Sequence, residues 1–365
     1  MDTLKVGIVG AGWMGHAHAR AWHSNAPRGE IVALADVSPE RSRALAGQIG
    51  GEVATYPDLE RMLADVDIDA VDVCLPHHLH AAAIVAAARA GKAILCEKPL
   101  CTTLEDAAAI KAALDETGAV FMAAHNQLFQ PSLIEARRLL ASGALGRTFV
   151  VRSIEAVQNR GFASGHVPRE LGGGESPWAW RADPARMGGG EVLDTGWHAT
   201  YRLLALADSR PVAVTAMMDR FAVKQLSVED TGLLLVRFAS GAIGQITTSW
   251  AFNPVGNWHF EVAAEHGSLA GGAASLVHQV HGWPEPVSFT PFSHEHAATF
   301  AGEVAHFLDV VEDGAAPLAS FDHAARVLQL TLAAYRSVTE QAVIALPEDP
   351  LEPGIPAGGH AMAAD

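Results

Sequence analysis

Leu4-Lys5-Val6-Gly7-Ile8-Val9-Gly10-Ala11-Gly12-Trp13-Met14-Gly15 decides the fold. The apolar run from 4 to 9 reads as a strand, the glycines at 10, 12 and 15 form a G-x-G-x-x-G turn, and the residues beyond Gly15 read as a helix. In that setting each glycine has a task. The first permits the tight turn, the second lets backbone approach a pyrophosphate, and the third lets helix and sheet pack closely. The helix N-terminus adds unpaired N–H groups and positive potential. Asp36 ends the next strand-like run, 21 residues after Gly15. A carboxylate there accepts hydrogen bonds from a ribose 2′-hydroxyl and repels a 2′-phosphate, which favours NAD over NADP. Arg41 and Arg43 nearby soften that preference.

Outward from this turn, 30–35, 70–75, 93–96 and 119–123 read as further strands, separated mostly by alanine-rich amphipathic helices. Parallel strands need crossovers of that length, so the first third predicts a doubly wound parallel sheet of the Rossmann type. The pattern changes from about 147. A helix over 192–207 precedes longer strand-like runs at 211–223, 230–238, 242–250 and 258–264, one pair joined by Ala239-Ser240-Gly241, which predicts an α+β domain with a large, mainly antiparallel open sheet. Two helical stripes follow, Val304, Phe307, Leu308 and Val311, then Leu328, Leu332 and Tyr335. The expected organisation is a dinucleotide-binding domain over 1–124, a substrate-binding and oligomerisation domain over 125–346, and a flexible tail over 347–365.

Composition narrows the partners. A chain of 365 residues with 49% hydrophobic and 18% charged content is long enough for about two domains with buried cores. Its net charge of −16 repels phosphate backbones and anionic lipid, which excludes nucleic acid and membrane surfaces as expected partners. Three closely spaced cysteines, Cys74, Cys96 and Cys101, fit reduced thiols better than a disulfide framework. With no basic, then apolar, leader at the start, a cytoplasmic location is expected. Eighteen histidines raise the question of a metal, but neither His77, His78 and His80 nor His294 and His296 show zinc spacing backed by a third ligand, so none is expected.

In an open parallel sheet, ligands bind beyond the carboxyl ends of the strands. Pro76 and His77 follow one strand, Glu97-Lys98-Pro99 follows the next, and Asn126 completes the cofactor-binding candidates on this side together with Gly10, Gly12, Trp13, Met14, Gly15 and Asp36. The glycine turn, Ala90-Gly91-Lys92 leading into Glu97-Lys98-Pro99, and Trp180-Arg181 upstream of Gly188-Gly189-Gly190-Glu191-Val192-Leu193-Asp194-Thr195-Gly196-Trp197-His198 resemble the glucose-fructose oxidoreductase, inositol dehydrogenase and rhizopine catabolism (Gfo/Idh/MocA) family. The resemblance covers nearly the whole chain. It implies that Lys98, Asp194 and His198 match the family's catalytic lysine, aspartate and histidine, that His80, Trp180 and Arg181 contact the cofactor, and that the open sheet builds a homodimer or homotetramer. Leu75, His77 and Leu128 depart from the family's usual pattern, which leaves the substrate unassigned.

The three catalytic candidates suit hydride transfer. Removing a hydride from carbon requires loss of a proton from oxygen, and histidine accepts protons near neutral pH. Spacing of i and i+4 on one helix, beginning after a flexible glycine run, lets Asp194 orient His198, while Lys98 stabilises charge on the oxygen. His125, Arg160, His166, Trp178, Trp197 and Trp258 are candidates to line a sugar pocket. The expected activity is NAD-dependent oxidation or reduction of a secondary hydroxyl on a pyranose or cyclitol. The alternatives are glycoside cleavage through transient oxidation and a non-catalytic dinucleotide-sensing regulator.

Overall fold

The computed structural model describes residues 3–158, 179–223, 227–256, 258–282, 284–285, 287–288, 292 and 295–356. The chain divides into two compact units, Met1–Phe129 with Glu295–Ala324 and Gln130–His294 with Ala325–Asp365. The division differs from the expected boundary near 124 by returning a later segment to the first unit.

That first unit runs β1 (Leu4–Val9), α1 (Trp13–Ser24), β2 (Gly29–Ala35), α2 (Pro39–Ile49), β3 (Ala54–Tyr56), α3 (Leu59–Asp65), β4 (Ala70–Val73), α4 (His80–Arg89), β5 (Ala93–Glu97), α5 (Leu104–Thr117) and β6 (Phe121–Ala124). The strands form a parallel sheet in the order β3-β2-β1-β4-β5-β6. The order reverses between β1 and β4, and this switch point opens a crevice at the strands' carboxyl ends. Local chemistry sets the helix limits. The Ser38 side chain accepts from Arg41 N and Thr103 accepts from Asp106 N at the starts of α2 and α5, each worth about 1 kcal/mol, while Gly118 at φ 66° ends α5. At Gly7 a Cβ would stand 2.8 Å from Met62 Cε, so the glycine lets the Met62 side chain of α3 pack against β1.

From a later stretch, the chain returns to supply α9 (His296–Asp313) to this first unit. The Trp22 and Phe307 rings meet edge-on at 6.0 Å, and Arg28 Nη2 pairs with Asp309 at 2.8 Å and Glu312 at 2.7 Å. Of the predicted stripe, Val304, Phe307 and Leu308 are buried.

In the second unit, α6 (Pro131–Ala141), β7 (Thr148–Ala156), α7 (Pro184–Met187) and α8 (Gly196–Ala207) precede β8 (Pro211–Asp219), β9 (Thr231–Phe238), β10 (Ile243–Ser249), β11 (Phe260–Ala264), β12 (Gly267–Gly271), β13 (Leu276–Val280) and β14 (Val287–Ser288). The helix α10 (Phe321–Glu340), β15 (Ile344–Ala345) and β16 (Ile355–Pro356) end the described chain. The sheet order is β14-β13-β12-β11-β7-β10-β9-β8-β15-β16, antiparallel throughout except for the β7–β10 pair. Alternation along the strands buries Val151, Leu234, Val236, Ile246 and Val262 on the face that α8 covers. The opposite face presents Met217, Leu233, Leu235 and Ile243 to solvent.

The mobile tail expected from Pro347 does not hold as far as residue 356. Arg326 Nη1 donates to the Glu348 carbonyl and Gln329 Nε2 to the Asp349 carbonyl, each at 2.8 Å, and β16 pairs with β15. Residues 357–365 lie outside the described residues. Among those described, no helix is long and apolar enough to cross a membrane.

Candidate active site

The glycine turn at the end of β1 has the shape a dinucleotide needs. Gly10 adopts φ 101°, and a Cβ there would overlap the Cys74 carbonyl. At Gly15 a Cβ would overlap the Gly10 carbonyl, which is the close strand-helix approach the motif calls for. Gly12 is different: a Cβ there would meet nothing within 4 Å. As N-cap of α1, Gly12 supplies no side-chain acceptor to the first-turn amides of α1, the donor set a pyrophosphate takes. Asp36 closes the turn. Its Oδ2 accepts from Ala11 N at 2.8 Å, and its Oδ1 accepts from Ser38 N at 2.7 Å and Arg41 Nη2 at 2.8 Å. Trp13 is 55% exposed beside the turn, available to a ligand rather than to the core. Arg43 turns away and bonds the Pro39 carbonyl.

Behind the crevice lies a polar cluster that spacing did not reveal. His18 on α1 is fully buried, its Nδ1 2.9 Å from both Asp72 oxygens and its Nε2 3.1 Å from Glu97 Oε1. Trp22 Nε1 donates to Asp72 Oδ2 at 2.7 Å, and Glu97 Oε2 accepts from Lys98 N at 2.9 Å. Burial alone pushes the His18 pKa down, but Asp72 overrides it and the net direction is well up. The same burial raises the Cys74 thiol pKa and pushes the Glu303 pKa well above the usual carboxylate range. His18, Asp72 and Cys74 have potential ligand atoms within 4.8 Å of one another, but both His18 nitrogens already face carboxylates.

His80, expected at the cofactor, is fully buried with Nδ1 2.7 Å from the Pro99 carbonyl and Nε2 2.8 Å from the Leu75 carbonyl. It clasps the loops after β4 and β5 together, and burial depresses its pKa despite those carbonyls. His77 is buried beside it, with ring centroids 6.0 Å apart, whereas His78 is exposed. Asn126 donates to Thr299 Oγ1 at 3.1 Å. His125 is fully buried against His323, with ring centroids 5.5 Å apart.

In the second unit, Asp194 stands in the turn before α8 rather than on the helix with His198. The two residues therefore do not share one helix as expected. Arg181 Nε donates to Asp194 Oδ2 at 2.7 Å while its guanidinium lies 4.6 Å above the Trp180 ring, and His198 Nδ1 bonds Tyr201 Oη at 2.7 Å. Nor is the preceding glycine run flexible. A Cβ at Gly189 would overlap the Tyr335 hydroxyl, and one at Gly190 would overlap Glu229. Glu229 Oε1 accepts from Tyr335 Oη at 2.7 Å and from Val192 N at 3.0 Å, and Tyr335 Oη accepts from Gly190 N at 3.0 Å. Glu191 is fully buried on the Thr248 hydroxyl at 2.6 Å, and burial raises its pKa well above the usual range. These three side chains, Glu191, Glu229 and Tyr335, brace the segment that carries Asp194.

Trp197 is fully buried in the core of the second unit, so it lines no opening to solvent. Trp258 is 41% exposed. Arg160, His166, Trp178 and His294 lie outside the described residues. Cys74, Cys96 and Cys101 are free and buried.

A parallel sheet with a glycine turn open above Gly12 and an acid closing it defines a dinucleotide-binding protein of the Rossmann class. A model described as "Oxidoreductase family, NAD-binding Rossmann fold" matches residues 4–125, and one described as "GFO/IDH/MocA C-terminal domain" matches 133–270. The inositol 2-dehydrogenase of Rhizobium meliloti (strain 1021) is 30% identical over 355 residues, 94% of this chain and 99% of that protein. The 1,5-anhydro-D-fructose reductase of Ensifer adhaerens is 34% identical over 271 residues, 73% of this chain and 74% of that one. A solved levoglucosan dehydrogenase in complex with NADH is 25% identical with a TM-score of 0.83, covering 94% of this chain and 99% of that chain. The protein belongs to the Gfo/Idh/MocA family and is an NAD-dependent oxidoreductase.

Proposed function

We propose that the enzyme transfers a hydride between NAD and a secondary hydroxyl of a sugar or cyclitol, with Lys98, Asp194 and His198 as its catalytic residues. The observation that carries the substrate class is the likeness, over nearly its whole length, to a dehydrogenase named for inositol. The names of the anhydrofructose and levoglucosan relatives point to the same kind of polyhydroxylated ring.

Bound at Gly10–Gly15 and Asp36, NAD supplies the hydride acceptor in oxidation and the donor in reduction. His198 takes the hydroxyl proton in oxidation and returns it in reduction. With the ring proton on Nδ1 donated to Tyr201 Oη, the lone pair falls on Nε2, the tautomer a general base requires. Asp194, held by Arg181 at 2.7 Å, offers a fixed carboxylate to a substrate hydroxyl. Lys98, at the end of β5 with its peptide N–H bonded to Glu97, stabilises the oxygen as negative charge develops.

The exposed apolar residues Met217, Leu233, Leu235 and Ile243 share one face of the second unit's sheet, which supports a homodimer or homotetramer built through that face. Three buried free thiols support a reducing, cytoplasmic location. A panel of pyranoses and cyclitols followed by NADH absorbance, with NAD and NADP in parallel, tests the reading. NADH formation with a ring polyol is expected; glycoside hydrolysis without net NADH refutes it in favour of transient oxidation.

A further inference from the structure

The buried cluster behind the crevice joins three elements that meet the cofactor side of the first unit. His18 belongs to α1, the helix the glycine turn opens; Asp72 lies near the end of β4; Glu97 ends β5 and immediately precedes Lys98. The bonds run in one line from Trp22 Nε1 to Asp72, from Asp72 to His18 Nδ1, from His18 Nε2 to Glu97 Oε1, and from Glu97 Oε2 to Lys98 N. A neutral imidazole has a single N–H and would turn a lone pair toward one of the two carboxylates. The cluster therefore holds one proton more than a neutral ring between two carboxylates, and the ring carries it as an imidazolium. The groups facing His18 are Asp72 from β4, Cys74 just beyond it, Glu97 from β5 and Glu303 from α9. Both Glu303 oxygens are buried without a hydrogen-bond partner among the described residues, and burial beside two carboxylates that share one imidazolium pushes the Glu303 pKa up.

We propose that His18 is a positioning residue: clamped between Asp72 and Glu97, it holds Glu97 against the Lys98 peptide and so sets the place and reactivity of the Lys98 amine. Its consequence for turnover rests on the assignment of Lys98 made above. Glu97 has two oxygens and divides them, one to His18 and one to Lys98 N–H. Without a cation at position 18, Asp72 and Glu97 repel each other inside a dry cluster, and Glu97 no longer has reason to keep that orientation.

The amine itself gives the readout. Trace acetylation with acetic anhydride, followed by peptide mass spectrometry from neutral to alkaline pH, compares Lys98 with Lys5 and Lys92 in the same molecules. In His18→Gln the Lys98 rate is expected to fall at least about threefold against both reference lysines, because a positive charge has left a buried cluster beside the strand end. An unchanged Lys98 rate in a folded His18→Gln protein overturns the proposal. If circular dichroism shows that variant unfolded, Glu97→Gln breaks the same link from its other end while removing a negative charge, so the Lys98 rate is expected to rise at least about threefold against both reference lysines; a fall or an unchanged rate overturns the proposal. The unmodified protein gives an independent reading by nitrogen-15 NMR, where both His18 ring protons are expected at neutral pH and a ring with only one overturns the clamp. Turnover of Lys98→Ala answers a separate question. Full activity there removes Lys98 from the chemistry and leaves the labelling result standing.

Discussion

Arg181 and Asp194 form an ion pair, Nε to Oδ2 at 2.7 Å, in which the aspartate side chain keeps 5% of its exposure and the arginine 18%. With the guanidinium also stacked on Trp180, Asp194 is fixed from a direction that helical spacing to His198 does not supply. Arg181→Met leaves a buried carboxylate without its cation, so a stability loss of about 3 kcal/mol is expected in urea unfolding. Turnover should fall at least about tenfold as Asp194 loses its orientation. Arg181→Lys restores charge without the planar fork and should recover only part of both. A stability change near zero in the methionine variant would mean that water replaces the guanidinium without cost.

Glu191 ties stability to pH. The unfolded chain releases this proton near 4.5, whereas burial keeps it on the folded protein, with Glu229, Asp194 and Glu155 adding to the effect against the Thr248 hydroxyl bond. The folded state then binds more protons, so stability falls as pH rises above that value, by about 1.4 kcal/mol per pH unit for one group, until the folded pKa is passed. Glu191→Gln should flatten the slope. Glu229 and Glu303 shift in the same direction and leave part of it. Identical pH profiles for the two proteins would show that Glu191 ionises normally in the fold.

The glycine turn separates cofactor binding from folding. Gly12→Ala adds a methyl group in open space, so its melting temperature should stay within a few degrees while NADH affinity, read by fluorescence, drops at least about tenfold. Gly15→Ala drives a methyl into the Gly10 carbonyl and should cost about 2 kcal/mol or more of stability. The reverse pattern would place the pyrophosphate elsewhere.

Asp36 and Arg41 set the cofactor preference together. Asp36→Ala removes the ribose acceptor and releases Arg41, now bonded to it at 2.8 Å, toward a 2′-phosphate. The ratio of kcat/KM for NADP over NAD should rise at least about tenfold. An unaltered ratio would remove Asp36 from ribose recognition.

Leu233 and Leu235 project from the open face of β9 beside Met217 and Ile243. Leu235→Asp puts a charge into any assembly through that face, and light scattering after size exclusion should show a smaller species with unchanged circular dichroism. An unchanged mass would leave this face out of the assembly.

The parts of the molecule governed by neighbouring residues were legible in the sequence. β1, its glycine turn and α1 lie where the pattern predicts them, and the β9–β10 hairpin forms at Ala239-Ser240-Gly241. Elements held by distant partners were not. β3 is a three-residue edge strand, β12 begins and ends in glycine, and β7 alternates weakly, so each depends on the strand beside it. The return of α9 to the first unit rests on Trp22 meeting Phe307, and no local pattern carries that contact. In the site, the predicted helix over 192–207 begins only at Gly196, because Glu229 and Tyr335 hold the glycine run in a turn from far along the chain. Glu191 had a signal in its place directly after that run. Tyr335 was read only as part of a core stripe, and His18 sat unremarked one helical turn past Gly15.

Deuterium transfer measures the proposed chemistry most directly. The polyol oxidised fastest in the panel, deuterated at its carbinol carbons, is incubated with NAD and the NADH formed is weighed by mass spectrometry. One deuterium on the nicotinamide ring is expected, lost in Lys98→Ala and His198→Asn along with turnover. Unlabelled NADH, or deuterium released to water, would contradict hydride transfer from the hydroxyl-bearing carbon.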